Sequence, residues 1–149
     1  MWEKGEHGEV RVFLVHPGGP YNAKKDEGVW GIPKGLREGN EDMLTCARRE
    51  FSEETGFPTP DNYEYIPLGN IIKNNGTKVV HAWAFEKQGV LPPFTSNTFQ
   101  MEWPPKSGKL QDFPEADRGE FFELTVAKHK INSAELPFLD RLGEFLSLR

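Results

Sequence analysis

Apolar residues recur along the chain with the periods of strands and of helices. Residues 10–16 are predicted to form a strand, and the continuous apolar run at residues 12–15 indicates that it is covered on both faces. Residues 63–72 and 77–86 are rich in β-forming side chains and flank Asn74-Asn75-Gly76, and Asn-Gly between two such runs predicts a hairpin. The remaining strand candidates are residues 98–103 and 119–124, and residues 104–113 between them are predicted to form a loop.

One longer helix is predicted in the first half of the chain. Asn40 is placed at its N-cap, and Glu41 and Asp42 are placed in its first turn. The helix is expected to end at Gly56, because glycine is favoured just beyond a helix and Pro58 follows it.

Two further helices are predicted at the C-terminal end. Thr125 can cap a short helix up to Ile131, and Asn132 with Glu135 three residues later is typical of a capping box that starts a second helix. The apolar residues at helical spacing in this second helix are Phe138, Leu139, Leu142, Phe145 and Leu146. They predict an amphipathic face that packs on the sheet.

The composition is that of one soluble globular domain over residues 1–149, with 36% hydrophobic and 28% charged residues. No apolar run reaches the length of a membrane span and the first residues lack a signal-peptide core, so no membrane partner is expected. The single cysteine, Cys46, excludes an internal disulfide and suits a reducing compartment, which favours a cytoplasmic location.

The net charge of -5 argues against non-specific binding to nucleic acid, which depends on excess Lys and Arg. It does not exclude phosphorylated small molecules. Metal ions can bridge protein carboxylates to phosphate oxygens, so an acidic protein can still bind a polyphosphate.

Three carboxylates share one face of the longer helix. Glu50, Glu53 and Glu54 are spaced i, i+3 and i+4, in the last turns, where the helix dipole and their mutual repulsion both disfavour negative charge. Arg48 and Arg49 can neutralise part of that charge. Clustered hard oxygen ligands are also what Mg²⁺ or Mn²⁺ requires. A solvated acidic face on a surface helix is the alternative interpretation.

A signature with fixed gaps surrounds these acids and favours the metal interpretation. The matching residues are Gly35, Glu41, Arg49, Glu50, Phe51, Glu53, Glu54, Gly56 and Phe57. They match every specified position of the box of the Nudix hydrolases over residues 35–57, so the chain resembles that family. The resemblance implies an α/β/α sandwich with a mixed central sheet and another strand before residue 10. Because residues 1–8 are polar, this first strand is expected to be shortened or missing.

The resemblance also implies roles for the residues of the box. Glu50, Glu53 and Glu54 are expected to bind one to three Mg²⁺ or Mn²⁺ ions. Arg49 lies four residues before Glu53 and is expected to hold that carboxylate in position. Glu41 is expected to do the same or to help bind metal.

An acid outside the box is a further candidate. Several Nudix enzymes have an acid a few residues before an aromatic strand, and Glu115 matches that position as a metal ligand or general base. Glu102 is the second candidate, and an exposed loop acid without a catalytic role is the alternative. Family members differ in which acid takes the proton from water, so Glu50 is placed first as the base, followed by Glu115 or Glu53.

Residues 30–35, WGIPKG, resemble the W-x-x-P-K-G lead-in of Nudix enzymes that act on diadenosine polyphosphates, diphosphoinositol phosphates and RNA 5′ ends. By this resemblance Lys34 contacts a phosphate. The candidate phosphate contacts, in falling order, are Lys34, Arg37, Lys24 and Lys106, and solvated side chains are the alternative for the last two.

These features predict a metal-dependent pyrophosphohydrolase that cuts a nucleoside diphosphate linked to another group. The lead-in favours a dinucleoside polyphosphate such as diadenosine tetraphosphate, with RNA 5′-triphosphate ends and nucleoside triphosphates as alternatives. A nucleic acid is expected as a partner only through an RNA 5′ end, and the protein is expected to be a monomer or homodimer. A non-catalytic Nudix module that binds a nucleotide is the competing hypothesis. Such a module would have lost acids of the box, and none is lost here.

Overall fold

Strands dominate the computed structural model, which describes all residues from 1 to 149. The strands are β1 (Trp2–Lys4), β2 (Val10–Pro17), β3 (Ile66–Lys73), β4 (Lys78–Ala84), β5 (Thr98–Glu102), β6 (Leu110–Pro114) and β7 (Ala116–Glu123). The helices are α1 (Met43–Thr55), α2 (Leu124–Lys130) and α3 (Leu136–Ser147). None of these helices combines the length and the apolar character needed to cross a bilayer.

The strands form three antiparallel ladders, and a parallel bridge joins two of them. β2 pairs with β1 on one side and with β7 on the other, while β3 pairs with β4 and β5 pairs with β6. Trp2 forms a parallel bridge with Glu86, just beyond β4. Its N–H donates to the carbonyl of Phe85 at 3.0 Å, and its carbonyl accepts from Lys87 N–H at 2.8 Å. The β3–β4 hairpin therefore continues the three-stranded ladder, which gives the predicted mixed sheet.

Strand β2 is buried on both faces, as its continuous apolar run predicts. Val12 and Leu14 pack toward α2 and α3 in one hydrophobic cluster, and Phe13 and Val15 pack toward α1 in another. The partners in the first cluster include Ala127, Ile131, Leu139 and Leu142, and those in the second include Phe51, Phe57 and Phe85. Helices thus cover both sides of the sheet, in the expected α/β/α order.

The start of α1 differs from the prediction. Asp42, not Asn40, is the N-cap, and its carboxylate accepts from Leu44 N–H at 3.2 Å and Thr45 N–H at 3.3 Å. No acid lies in the first turn. Asn and Asp cap almost equally well, so local sequence does not choose between them. The predicted end is correct, because Gly56 takes the left-handed conformation with φ of 77°.

Residues 104–113 do not form the predicted loop throughout, because β6 begins at Leu110. The register pairs Thr98 with Pro114 and Glu102 with Leu110. Most of β6 is exposed, so it carries no buried apolar alternation by which a strand is recognised. Pairing with β5 imposes the strand instead.

The predicted caps of the C-terminal helices are also wrong in detail. Helix α2 follows Glu123 and has no side-chain cap from Thr125. Asn132 Oδ1 does accept from Glu135 N–H at 3.2 Å, but α3 begins at Leu136 and the Glu135 side chain does not return to cap it. That carboxylate is directed into the protein, toward residues described below.

Candidate active site

Gly35 brings the segment before α1 against the acidic face of that helix. A Cβ at Gly35 would overlap the carboxylate carbon and both oxygens of Glu50. Alanine would fit here only if the carboxylate of Glu50 moved, and no positive φ is involved. The glycine of the box therefore leaves room for the Glu50 carboxylate in its observed position.

Arg49 is the centre of a network of carboxylates. Its Nη1 lies 2.8 Å from Glu50 Oε1 and 3.1 Å from Glu53 Oε2, so the expected contact with Glu53 is present. Its Nη2 donates to Glu41 Oε1 at 2.6 Å and to the carbonyl of Leu36 at 3.0 Å. The hydrogen bond from Arg49 lowers the pKa of Glu41 to about 2, and the same bond raises the pKa of Arg49. One guanidinium thus orients three of the acids of the box.

Glu54 lies beside this network with little compensation for its charge. Its nearest donor is the N–H of Lys34, at 3.4 Å from Oε2. Burial raises the pKa of Glu54 to about 7, against the favourable field of Lys34, and the negative charges of Glu115 and Glu50 raise it further. This half-buried carboxylate is therefore poorly balanced, and a cation beside it would stabilise its charged form.

Glu115 is tied to the end of α1 through the backbone. Its N–H donates to the carbonyl of Asn97 at 2.8 Å, and Asn97 N–H donates to the carbonyl of Glu53 at 2.8 Å. The exposed side chain of Glu115 is close enough to repel Glu54. Glu102, the second candidate, pairs with Leu110 at the other end of the β5–β6 ladder and has no hydrogen bond to the acids of the box.

The acids do not form a closed metal cage in this structure. No three acidic, histidine or cysteine side chains converge closely enough to make one. Arg49 occupies oxygens of Glu50 and Glu53, which keeps those groups turned toward the guanidinium. The donor set nevertheless fits a hard divalent cation, since it consists of carboxylate oxygens and includes the poorly balanced Glu54.

The predicted phosphate contacts are placed unevenly. Lys34 lies at the acidic face, and its Nζ is 3.0 Å from Glu135 Oε2. Arg37 is exposed, and its Nη1 lies 3.9 Å from the sulfur of Met43. Lys24 and Lys106 are exposed, form no ion pair and have no hydrogen bond to the acids of the box. The structure brings Lys34 together with the acids and leaves the other three apart from them.

A cleft of about 570 Å³, which is not predictable from the sequence, opens beside the acidic face. Helix α1 contributes Met43 and Ala47, strand β4 contributes His81 and Trp83, and Lys34 lies at the junction with the acids. Most of the lining is hydrophobic. No local pattern reveals this cleft, because its walls come from segments far apart in the sequence.

Glu135 is a second feature of the site that the sequence pattern does not reveal. It is fully buried, with both oxygens bonded to residues outside its own helix. Its spacing from Asn132 suggests a cap, and only the tertiary contacts reveal a different role.

The family of the protein follows from comparison with known proteins. Residues 3–142 match the family model of the NUDIX domain. The chain therefore belongs to the Nudix hydrolase family, as the box predicts. Hydrolases of this family generally depend on a divalent metal ion.

Curated relatives match a shorter part of the chain. The mRNA-decapping protein g5R of African swine fever virus isolate Pig/Kenya/KEN-50/1950 is 48% identical over 68 residues, which are 44% of this chain and 25% of that protein. The same protein of isolate Warthog/Namibia/Wart80/1980 is 38% identical over 68 residues, again 44% of this chain and 25% of that protein. The matched segment thus spans about a quarter of these relatives.

Solved structures resemble nearly the whole chain. An Ap4A hydrolase binary complex from C. elegans has a TM-score of 0.69 at 18% identity, covering 99% of this chain and 95% of that one. The MutT protein from Methanosarcina mazei Go1 has a TM-score of 0.60 at 17% identity, covering 97% and 90%. The NUDIX domain of Shewanella oneidensis NrtR, complexed with ADP ribose, has a TM-score of 0.59 at 13% identity, covering 97% and 82%. These likenesses confirm the predicted fold.

Proposed function

We propose that the protein is a pyrophosphohydrolase dependent on Mg²⁺ or Mn²⁺ that cleaves a nucleoside diphosphate linked to another group, with dinucleoside polyphosphates as its preferred substrates. One observation carries this proposal. The acidic face of α1 lies directly beside a largely hydrophobic cleft, with Lys34 at the junction. A polyphosphate bound at the acids would then extend its nucleoside into the cleft.

Glu50, Glu53 and Glu54 would hold the metal, with Glu115 as a further ligand. A bound Mg²⁺ or Mn²⁺ would lower the pKa of a water molecule and neutralise charge on the phosphoryl oxygens. Arg49 contributes by fixing Glu50 and Glu53 in one orientation, since both carboxylates bond to its Nη1.

Glu50 is the proposed general base. Its carboxylate accepts a hydrogen bond from Arg49 Nη1 at 2.8 Å and occupies the space that a side chain at Gly35 would fill. A base fixed in this way accepts a proton from water without first reorienting. Glu115 and Glu53 are the next candidates for this role.

The cleft supports a nucleoside as the group next to the phosphates. Its volume of about 570 Å³ is within the range of small-molecule sites. Trp83 and Tyr65 give it aromatic surface, on which a base can stack, and Lys34 and Arg37 also contribute to its lining. Phosphates bound beside the acids would be attracted by the ammonium of Lys34, while an apolar ring would enter the cleft.

The likeness to the C. elegans Ap4A hydrolase supports a dinucleoside polyphosphate. The second candidate substrate is an RNA 5′ end, which the identity of 48% to a decapping protein favours. The net charge of -5 weighs against a long RNA, because a polyanion is repelled by an acidic protein. A non-catalytic binding module is disfavoured, since every acid of the box is retained.

The test is a panel of diadenosine tetraphosphate, ATP, and triphosphorylated and capped RNA, each incubated with Mg²⁺ and then with Mn²⁺. Wild type is compared with Glu53→Gln and with Glu144→Gln, an exposed acid on α3 that serves as the matched control. We expect diadenosine tetraphosphate to give the highest kcat/KM. Glu53→Gln should lose at least about 100-fold in kcat while Glu144→Gln keeps it. If no substrate of the panel is cleaved in a metal-dependent way, the proposal is contradicted. If RNA 5′ ends give the highest kcat/KM, they replace dinucleoside polyphosphates as the proposed substrate.

A further inference from the structure

Glu135 is a buried carboxylate that the proposed chemistry does not use. Its Oε2 lies 3.0 Å from Lys34 Nζ and 2.7 Å from Lys73 Nζ, and its Oε1 accepts from Ile32 N–H at 3.0 Å. The side chain makes no capping bond to α3, the helix that it precedes. All of its bonds therefore connect the N-terminus of α3 to the segment before α1 and to the end of β3.

The carboxylate is balanced by these partners. Burial disfavours its charged form, but Lys34, Lys73 and the N–H of Ile32 together keep the pKa of Glu135 below its ordinary value. A buried ion pair stabilises a protein little compared with apolar packing, although loss of one partner is costly. We therefore expect these contacts to fix the position of Lys34 and to add little to the stability of the fold.

Lys34 links Glu135 to the acidic face. Its backbone N–H faces Glu54, and the next residue, Gly35, lies against Glu50. A lysine ammonium has three N–H donors. Glu135 Oε2 and the carbonyl of Ile32, at 3.4 Å, occupy two of them. One donor is left for a ligand in the cleft, which Lys34 lines.

We propose that Glu135 is a positioning residue that holds the ammonium of Lys34 in place to receive a phosphate oxygen. This inference rests on the proposed function, because it assumes that the ligand carries phosphates. A free lysine side chain is highly mobile, and ordering it before the ligand binds removes that entropic cost from binding. Glu135 thus contributes to phosphate affinity without touching the ligand.

The sign of one mutational effect separates positioning from simple electrostatics. Glu135→Gln removes a negative charge near the phosphate site, so by charge alone it should strengthen the binding of an anion. If Glu135 acts by positioning, the same change weakens binding, because the amide no longer holds the ammonium. Glutamine keeps the size of the side chain and an oxygen for Ile32 N–H.

The experiment measures binding of magnesium tripolyphosphate by titration calorimetry to wild type, Glu135→Gln, Lys34→Met and the double variant. We expect roughly tenfold weaker binding in each single variant and no further loss in the double variant, since both act through the same ammonium. Additive losses, unchanged affinity or tighter binding in Glu135→Gln would overturn the proposal. Lys34→Met removes the same contact from a partly exposed position and measures by itself how much the ammonium contributes to binding.

Two controls accompany this cycle. Asp140→Asn removes an exposed acid of α3 that pairs with Lys128, and it should leave the affinity unchanged. Lys73→Met removes the other cation from Glu135, and because Lys34 is still held, binding should stay within about twofold. A loss in Lys73→Met as large as that in Lys34→Met would overturn positioning.

Hydrolysis is assayed separately, so the two proposals can fail independently. A wild type that binds tripolyphosphate but cuts no substrate contradicts the proposed function, while the coupling between Glu135 and Lys34 still decides the positioning. If the wild type hydrolyses its substrate, and Glu135→Gln has the same activity and the same affinity for tripolyphosphate, only the positioning role is contradicted. A wild type that binds no tripolyphosphate contradicts both.

Discussion

The contact between Gly35 and Glu50 gives the most direct prediction. In Gly35→Ala the new methyl group would occupy the position of the Glu50 carboxylate. Carbon and oxygen atoms need about 3.5 Å between them, so the carboxylate must move by more than about 1 Å. Arg49 Nη1, now 2.8 Å from Glu50 Oε1, would lose part of this hydrogen bond or follow it.

The expected effect is on activity more than on stability. A displacement of about 1 Å at a catalytic group costs on the order of 100-fold in rate, so kcat should fall by that amount. Gly35 has no positive φ, and alanine at such a position changes the free energy of unfolding by less than about 1 kcal/mol through the unfolded chain. Steady-state kinetics with saturating Mg²⁺, together with urea unfolding, measures both quantities.

Gly8→Ala is the control for this substitution. Gly8 has φ of 83° and no atom within 4 Å of the position that a methyl group would take, so alanine there strains the backbone without touching the acids. We expect lower stability and unchanged kcat for Gly8→Ala, the reverse of the pattern for Gly35→Ala. Full activity in Gly35→Ala would refute the argument that its missing side chain makes room for Glu50.

Three further predictions concern pH, the arginine network and a buried histidine. Since Glu54 has a pKa of about 7 without metal and must lose its proton to bind one, affinity for Mn²⁺ should weaken about tenfold per unit as pH falls below 7. An affinity that is the same at pH 8 and pH 6 would contradict this. Arg49→Lys keeps the charge but loses the planar fork that bonds to Glu41 and Glu53 together, so kcat/KM should fall at least about tenfold with little change in melting temperature. Equal kinetics in the lysine variant would show that charge alone suffices. His16 is fully buried and bonds to Asp117 at 2.8 Å and to the carbonyl of Lys25 at 2.7 Å, so His16→Ala should lower the free energy of unfolding by about 1 to 3 kcal/mol while kcat stays constant. An unchanged urea midpoint would argue against this role.

Features that depend on local periodicity are predictable from the sequence. The buried run of β2 indicates helices on both sides because its central residues are all apolar, and the structure places a cluster on each face. The i, i+3 and i+4 spacing likewise puts Glu50, Glu53 and Glu54 on one helix face, since helical geometry requires it. Neither inference needs the rest of the chain.

The sequence-based predictions fail where contacts between segments far apart in the sequence determine the local structure. β6 is a strand because β5 offers it a ladder, not because of its own exposed residues. Glu135 has the right spacing from Asn132 for a capping box, but two lysines and a backbone amide from other elements offer it stronger partners. A charged side chain that is buried will take the charge-assisted bonds, and local spacing does not reveal them.

Helix α1 separates chemistry from recognition, which explains why the box predicts the reaction better than the substrate. Glu50 and Glu54 face the lead-in, where a phosphate would bind, whereas Met43 and Ala47 on an adjoining face line the cleft. Strand β4 contributes another part of the lining and lies outside the box. Substitutions in β4 can therefore alter the shape of the cleft without moving the acids. A constant reaction and a variable substrate are compatible in this fold because different faces and different segments provide them.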